Sequence, residues 1–331
     1  MKVCWKCTLF AVLVFFGCSD REKKLPGTLI FREIHCSTAP QARLDASMSE
    51  DFEGKRIFLF GGRGEGGTFL SDLWVFQVDK NAWEKIEAQE TPPARSGASL
   101  AWHPEKRTLF LFGGFSIDRY GKTRYLADLW LWNEQEGWHQ EPFEIGPSGR
   151  AWAKATAWGD KVLFYGGYGK KELPESLGDL WALDTTRMEF EILNQEKTPP
   201  LKTALLAAEA PVLFDYRQVE GKHLLERKFL NDKGEIIFKT NHLDDIIALA
   251  HSRLGVLYFL AYYSVNEEVR AKAFSAASQG AVNEYTLKNL SPTLPGMACA
   301  PAQVAEHRFI CFGGAWRDKI SSTTWSFEHI E

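Results

Sequence analysis

Three segments of this chain repeat nearly in step: RIFLFGG at 56–62, TLFLFGG at 108–114 and VLFYGGY at 162–168. Each runs on into the same sequel, SDLW at 71–74, ADLW at 127–130 and GDLW at 178–181, and then to an aromatic, Trp83, Trp138 or Phe190. The glycine pairs begin at 61, 113 and 166, intervals of 52 and 53. An apolar run ending in Gly-Gly at a period near 50 marks a repeat architecture, in which each unit buries its faces against its neighbours.

Two further spacings recur. Twelve residues after each closing aromatic stands a cation: Phe31 to Arg43, Trp83 to Arg95, Trp138 to Arg150 and Phe190 to Lys202. From that cation to the glycine pair is 18, 18 and 16 residues in the first three units. These motifs resemble kelch repeats. The resemblance implies an all-β protein whose four-stranded antiparallel blades are arranged radially as a β-propeller. Twelve Trp and 23 Phe suit such packing.

A last pair, Gly313-Gly314, lies 147 residues beyond Gly166, three intervals of 49. Two degenerate blades are therefore expected between them, with LFDY at 213–216 and LYFLAYY at 257–263 replacing Gly-Gly. The expectation is a six-bladed propeller over residues 27–331. EIIFKT at 235–240 reads as a strand, whereas EVRAKAFSAAS at 268–278 suits a strand or a short helix. The final blade has room for three strands, at 298–304, 308–314 and 323–330. TLIFREIH at 28–35 would supply its outer strand, closing the ring and hiding an open edge.

Lys2, Lys6 and the apolar run TLFAVLVFF at 8–16 predict a signal peptide over residues 1–17, too short to span a bilayer permanently. Gly17-Cys18 resembles a bacterial lipobox, although Phe15 and Phe16 depart from its usual residues. That likeness implies lipid on Cys18, a polar tether over 18–26 and anchoring in the bacterial envelope; a plain signal peptide is the alternative. Without residues 1–17 the formal charge moves from −4 to −6, which argues against nucleic acid as a partner. Besides the acylated Cys18, Cys36, Cys299 and Cys311 then remain. Cys299 and Cys311 are expected on neighbouring strands but not opposite each other, as small buried thiols, with a Cys36 disulfide the alternative.

In a blade the loop opening the first strand and the loop joining the second and third emerge together. Arg43, Arg95, Arg150 and Lys202 should therefore ring one mouth of the central channel. Arg95-Ser96-Gly97-Ala98 resembles the segment by which ligand-binding kelch domains present an arginine to acidic peptides. Nearby loops add Arg63, Arg119, Lys122, Arg124, Lys170, Lys171, Arg317 and Lys319. Arginine suits two-point recognition of carboxylates. The same arginines could instead brace loops by bonding backbone carbonyls; their clustering favours binding. Met297, and Asp244 or Asp245, take the equivalent position in the sixth and fifth blades.

The DLW aspartates are expected to cap turns, with the tryptophans packed between blades. Tyr120, Tyr125, Tyr168 and Trp316 near the mouth could stack on sugars or peptides. No metal-binding motif, phosphate loop or cofactor signature is present, and nothing matches the copper site of galactose oxidase. The first functional expectation is an envelope-anchored binding or scaffold protein that engages an acidic peptide, protein loop or anionic glycan. The alternative is an enzyme resembling the kelch-type sialic-acid mutarotases, which would need an acid beside the arginines: Glu65, Asp118 or Asp244.

Overall fold

The structure is a computed structural model. It describes residues 27–51, 53, 55–170, 174–195, 200, 202–207, 211–229, 234–240, 245–251, 256–265, 268–277, 282–289, 296–302, 308–316 and 319–330. The expected signal peptide, Cys18 and the tether lie outside them.

The fold is all-β and propeller-like, with one short 3-10 turn at Glu65–Gly67 among the described residues. Four antiparallel sheets follow the repeat. The first comprises Ser47–Asp51, Arg56–Arg63, Phe69–Gln77 and Ala82–Ile86, and the second Ser99–His103, Thr108–Phe112, Leu129–Asn133 and Gly137–Glu141. The third comprises Lys154–Trp158, Lys161–Tyr165, Asp179–Asp184 and Glu189–Gln195, and the fourth Lys202–Ala207, Pro211–Val219, Lys222–Phe229 and Glu235–Thr240. The segment open between strand and helix is the strand Glu268–Ala277, paired along its length with Val256–Val265.

Beside three small sheets of two or three strands in the loops, an eight-stranded sheet is built of two antiparallel halves. One half runs Asp245–His251, Val256–Val265, Glu268–Ala277, Val282–Lys288; the other runs Thr28–Ile34, Thr324–Ile330, Arg308–Gly313, Met297–Ala302. The N-terminal strand thus pairs antiparallel with the C-terminal one, from Thr28 opposite Ile330 to Ile34 opposite Thr324. Three parallel pairs, Thr28 with Thr286, Leu29 with Leu287 and Ile30 with Lys288, join the halves.

The core lies between sheets. Phe58 and Phe60 of the first pack on Leu100, Trp102 and Leu111 of the second, and Phe110 and Phe112 of the second pack on Val162 and Phe164 of the third. Ile57 and Leu59 of the first meet Ile310 and Phe312, near the other end of the chain. Apolar side chains therefore leave both faces of the inner strands, which explains why RIFLF and TLFLF are continuous apolar runs rather than alternating ones.

The glycine pairs end these strands because the backbone there is left-handed and crowded. Gly113 has φ 67° and Gly114 φ 94°. A Cβ on Gly113 would lie 2.5 Å from the Arg150 carbonyl oxygen of the next sheet, so no larger residue fits.

Cys299 and Cys311 correct the expected register. They sit directly opposite each other and form a disulfide, with Cα atoms 4.1 Å apart. Among the described residues Cys36 is the free thiol; burial pushes its pKa up, and its Sγ contacts the Asn81 carbonyl and Thr324 Oγ1. Met297 is also displaced from its expected role. It pairs with Gly313, so the brace-equivalent position falls at residue 294, outside the described residues.

Candidate functional site

The repeated arginines are built into the blades. Arg43 is 1% exposed, Arg95 is fully buried and Arg150 is 1% exposed. Each guanidinium meets the DLW aspartate of its own sheet with two parallel bonds: Arg43 to Asp72 at 2.7 and 2.8 Å, Arg95 to Asp128 at 2.7 and 2.8 Å, Arg150 to Asp179 at 2.6 and 2.9 Å. Each also donates to the first glycine carbonyl of its pair, Gly61, Gly113 or Gly166, and through Nε to a carbonyl two residues back. The aspartate accepts a further bond, at 2.7 Å, from the indole N–H of Trp74, Trp130 or Trp181.

This corrects two expectations. Arg43, Arg95 and Arg150 do not face an open channel, because their donors are committed within the blade. The aspartates are anchors for them rather than turn caps. A buried arginine needs a planar carboxylate and carbonyls to offset its lost hydration, and the Gly-Gly…Asp-Leu-Trp spacing delivers both. Burial alone would push the Asp72, Asp128 and Asp179 carboxyls up. The bonds and charges of the arginines, with the indole N–H, hold all three below the usual carboxylate range.

The arginine backbones do a second job. The Gly62 N–H donates to the Arg95 carbonyl at 2.9 Å, Gly114 to Arg150 at 2.7 Å and Gly314 to Arg43 at 3.1 Å, each bond crossing to a neighbouring sheet. The fourth sheet has neither Gly-Gly nor DLW. Its buried Asp215, within LFDY, takes the Tyr165 hydroxyl at 2.6 Å, Lys228 at 3.0 Å and Arg217 at 3.1 Å. Sequence reasoning saw LFDY only as a missing glycine pair; an aspartate inside an apolar run was the signal for a buried polar tie. Lys202 opens the Lys202–Ala207 strand, but its side chain lies outside the described residues, as do Arg317, Lys171, Asp244 and the side chains of Lys170 and Trp316.

The expected convergence of loops on one face is borne out by hydrogen bonds. Leu44 bridges Arg63, Ser96 bridges Phe115, and Arg150-Ala151 pairs with Tyr168-Gly169. These contacts join each first-strand opening to the loop between the second and third strands. Two residues past each brace the backbone turns left-handed, at Asp45 (φ 51°), Gly97 (φ 63°) and Trp152 (φ 58°). There it forms a hydrogen-bonded series: Asp45 N–H to Gly296 O at 2.9 Å, Gly97 N–H to Asp45 O at 2.8 Å, Trp152 N–H to Gly97 O at 2.6 Å.

Asp45 brings a carboxylate to this series. Burial pushes its carboxyl up, and the charges of Arg63 and Lys154, with the indole N–H of Trp152, offset part of that push. Sequence reasoning named Glu65 and Asp118 instead. Glu65 is exposed, and Asp118, half-buried, accepts the N–H groups of Tyr120 and Lys122 in its own turn. The missed signal was Asp45 itself, two residues beyond a brace, where Gly97 stands one blade later.

Arg63, half-buried, and Lys154, exposed, are the cations that act on Asp45, and the neighbouring loops carry exposed cations at Arg119, Lys122, Arg124 and Lys319. Glu65, Asp118 and Glu175 offset part of this charge. Arg119 lies 4.9 Å from the Tyr120 ring, on the Phe115–Ile117 and Thr123–Tyr125 hairpin. Tyr125 and Tyr168 are in edge contact at 6.2 Å.

Residues 27–210 match the family model of the KLHDC2/KLHL20/DRC7 Kelch-repeats domain. Host cell factor of Drosophila melanogaster is 29% identical over 176 residues, 46% of this chain and 11% of that protein. Kelch domain-containing protein 2 of Bos taurus is 26% identical over 169 residues, 47% and 39% respectively. F-box/kelch-repeat protein At1g51550 of Arabidopsis thaliana is 28% identical over 202 residues, 52% and 41%. The match thus spans less than half the length of each of these relatives. The solved structure of YjhT superposes with a TM-score of 0.62 at 12% identity, covering 91% of this chain and 95% of that one, a likeness of fold.

Proposed function

This chain belongs to the kelch-repeat family, and from that premise we propose that it is a six-bladed, closed propeller serving as a binding module for an acidic peptide or protein loop at its channel mouth. The blade count takes the two halves of the eight-stranded sheet as the fifth and sixth blades. It is supported by the order in which first strands neighbour one another: Ser47–Asp51, Ser99–His103, Lys154–Trp158, Lys202–Ala207, Asp245–His251, Met297–Ala302, and back to Ser47–Asp51. The bond from Gly314 to Arg43 is the corresponding joint between the ends.

The observation that carries the binding reading is the set of cations left at the mouth once the braces are set aside. Arg63, Arg119, Lys122 and Arg124 stand on the loops of one face of a protein whose formal charge is −4. Same-sign charge around a concave opening attracts an oppositely charged partner and makes its capture salt-dependent.

The test is fluorescence anisotropy with a labelled Asp/Glu-rich peptide and a neutral peptide of equal length. The acidic peptide binds selectively, weakens with salt as screening shortens to roughly 8 Å at physiological ionic strength, and loses about tenfold or more with Arg63→Ala and Arg124→Ala together. Equal binding of the two peptides would sink the reading. In parallel, NMR of a hexuronate would follow exchange between its anomers. Exchange catalysed by the wild type and lost with Asp45→Asn favours the sugar-acid isomerase, for which Asp45 beside Arg63 and Lys154 supplies the acid. Capture of an anionic glycan without anomer exchange would make the module a glycan binder.

We also propose that the module is held in a bacterial envelope membrane by lipid on Cys18, with residues 1–17 removed. The motivating pattern is Lys2, Lys6, an apolar run and Gly17-Cys18. Each buried methylene contributes about 0.8 kcal/mol, so several acyl chains anchor firmly. In a bacterial host the wild type should fractionate with membranes and Cys18→Ala with the soluble fraction. A soluble wild type without lipid mass overturns this.

A further inference from the structure

Trp152 departs from what its backbone position calls for. Its φ of 58° belongs to the left-handed region, where the equivalent residue of the preceding blade is Gly97. A bulky side chain is held there at an energetic cost, and such strain gathers at sites of function. Despite that cost the indole is fixed. A Cβ on Gly97 would lie 3.0 Å from its Nε1 and 3.2 Å from its Cδ1 and Cε2, so the ring rests on the glycine backbone. Its N–H interacts with the Asp45 carboxylate, and the buried Phe115 ring lies 5.0 Å away at 43°. Phe115 is itself held edge-on by Phe69 at 5.5 Å. The ring nevertheless remains 41% exposed.

Three consecutive blades thus cooperate on one aromatic surface. The first gives the carboxylate, the second the glycine floor and the third the indole. Glycine at 97 is what admits the ring: any side chain there would occupy the space the indole fills. A tryptophan clamped in this way loses little freedom when a partner covers it, as befits an anchoring pocket. The positive charge of Arg63 stands beside Asp45 there, which fits a negative group next to the stacked one.

Resting on the acidic-partner reading above, we propose that Trp152 is the specificity-determining platform of the mouth, and that the partner carries an aromatic side chain adjacent to its carboxylates. The indole gives such a side chain a flat, water-excluding surface, while Arg63 meets the neighbouring carboxylates. An acidic segment lacking an aromatic gains only the long-range attraction.

Two labelled ten-residue peptides of Asp, Glu, Gly and Ser test this, one with a central Phe and one with Ala in its place. Wild-type protein should bind the Phe peptide about tenfold more tightly. Trp152→Gly should bind both equally, at the level of the Ala peptide. Because glycine is at ease at this φ, the same variant should melt at or slightly above the wild-type temperature. Trp152→Phe should restore part of the preference. Equal binding of both peptides by the wild type overturns the platform while leaving the acidic reading intact, and binding of neither overturns both. A Trp152→Gly protein that keeps the preference, or that melts far below wild type, makes the indole a structural plug and ends the proposal.

Discussion

Arg95→Ala should destabilise the protein by about 3–5 kcal/mol, the range expected when one partner of a buried ion pair is removed and the other is left uncompensated. The variant strands the Asp128 carboxylate and removes the donor to the Gly113 carbonyl, both in the joint where the second sheet meets the third. Arg150→Ala should behave alike, while Arg124→Ala, on an exposed hairpin, should stay within about 0.5 kcal/mol of wild type. Urea unfolding followed by tryptophan fluorescence reads all three. A pH series separates a charged brace from a merely large side chain. The Asp72, Asp128 and Asp179 carboxyls sit below their unfolded value, so their contribution is present above about pH 3.9 and is lost as pH falls through their depressed values. Asp45 has the opposite sign: raised in the folded state, its contribution is present below about pH 3.9 and fades as pH rises through its folded value. The lowered carboxyls outnumber the raised one, so acid destabilises, and Asp128→Asn should flatten the acid limb. An Arg95→Ala protein as stable as wild type would refute the brace.

The division between what the residues disclosed and what they hid follows a physical line. Gly-Gly, DLW and the twelve-residue spacing are local, short-range demands of turns and strands, so they survive as motifs and mark the sheets, including the pairing of 28–34 with 324–330. What a repeated side chain does once the sheets assemble depends on its distance across the fold. Arg43 and Asp72 are 29 residues apart, and Arg95 and Asp128 are 33 apart. Both halves of the brace repeat in every early blade, yet neither spacing alone shows that they meet. Reading cations alone, without their equally periodic aspartates, turned a structural pair into an apparent binding ring. Asp45 and Trp152 were hidden for the opposite reason. They break the repeat, each standing where another blade has a different residue, and a motif search discards such positions. In a repeat protein the departures are where individual function can be written, because the repeated residues are already occupied in holding blades together.

Replacing both Cys299 and Cys311 by alanine should cost about 3 kcal/mol, the scale for a cross-link closing a loop of roughly this length. The two residues are 12 apart and face each other across Met297–Ala302 and Arg308–Gly313. Met297–Ala302 is an edge strand of this sheet, with a hydrogen-bonded neighbour on one side only, so it has less ladder support than the strands inside. Its sheet also holds both chain ends, and Gly296 beside it receives the Asp45 N–H. Loosening that strand should therefore loosen the mouth as well as the sheet. Protein exported to an oxidising compartment should carry the bond, visible as the loss of two hydrogens in the intact mass and as resistance of both residues to alkylation after denaturation. Reductant should lower the wild-type melting temperature towards that of the double variant and leave the variant unchanged. Cys36→Ser should alter neither result, since that thiol contacts a carbonyl and a hydroxyl but no sulfur. Two free, alkylatable thiols in exported protein, or a melting temperature indifferent to reductant, would show that these facing cysteines remain the separate buried thiols their sequence positions first suggest.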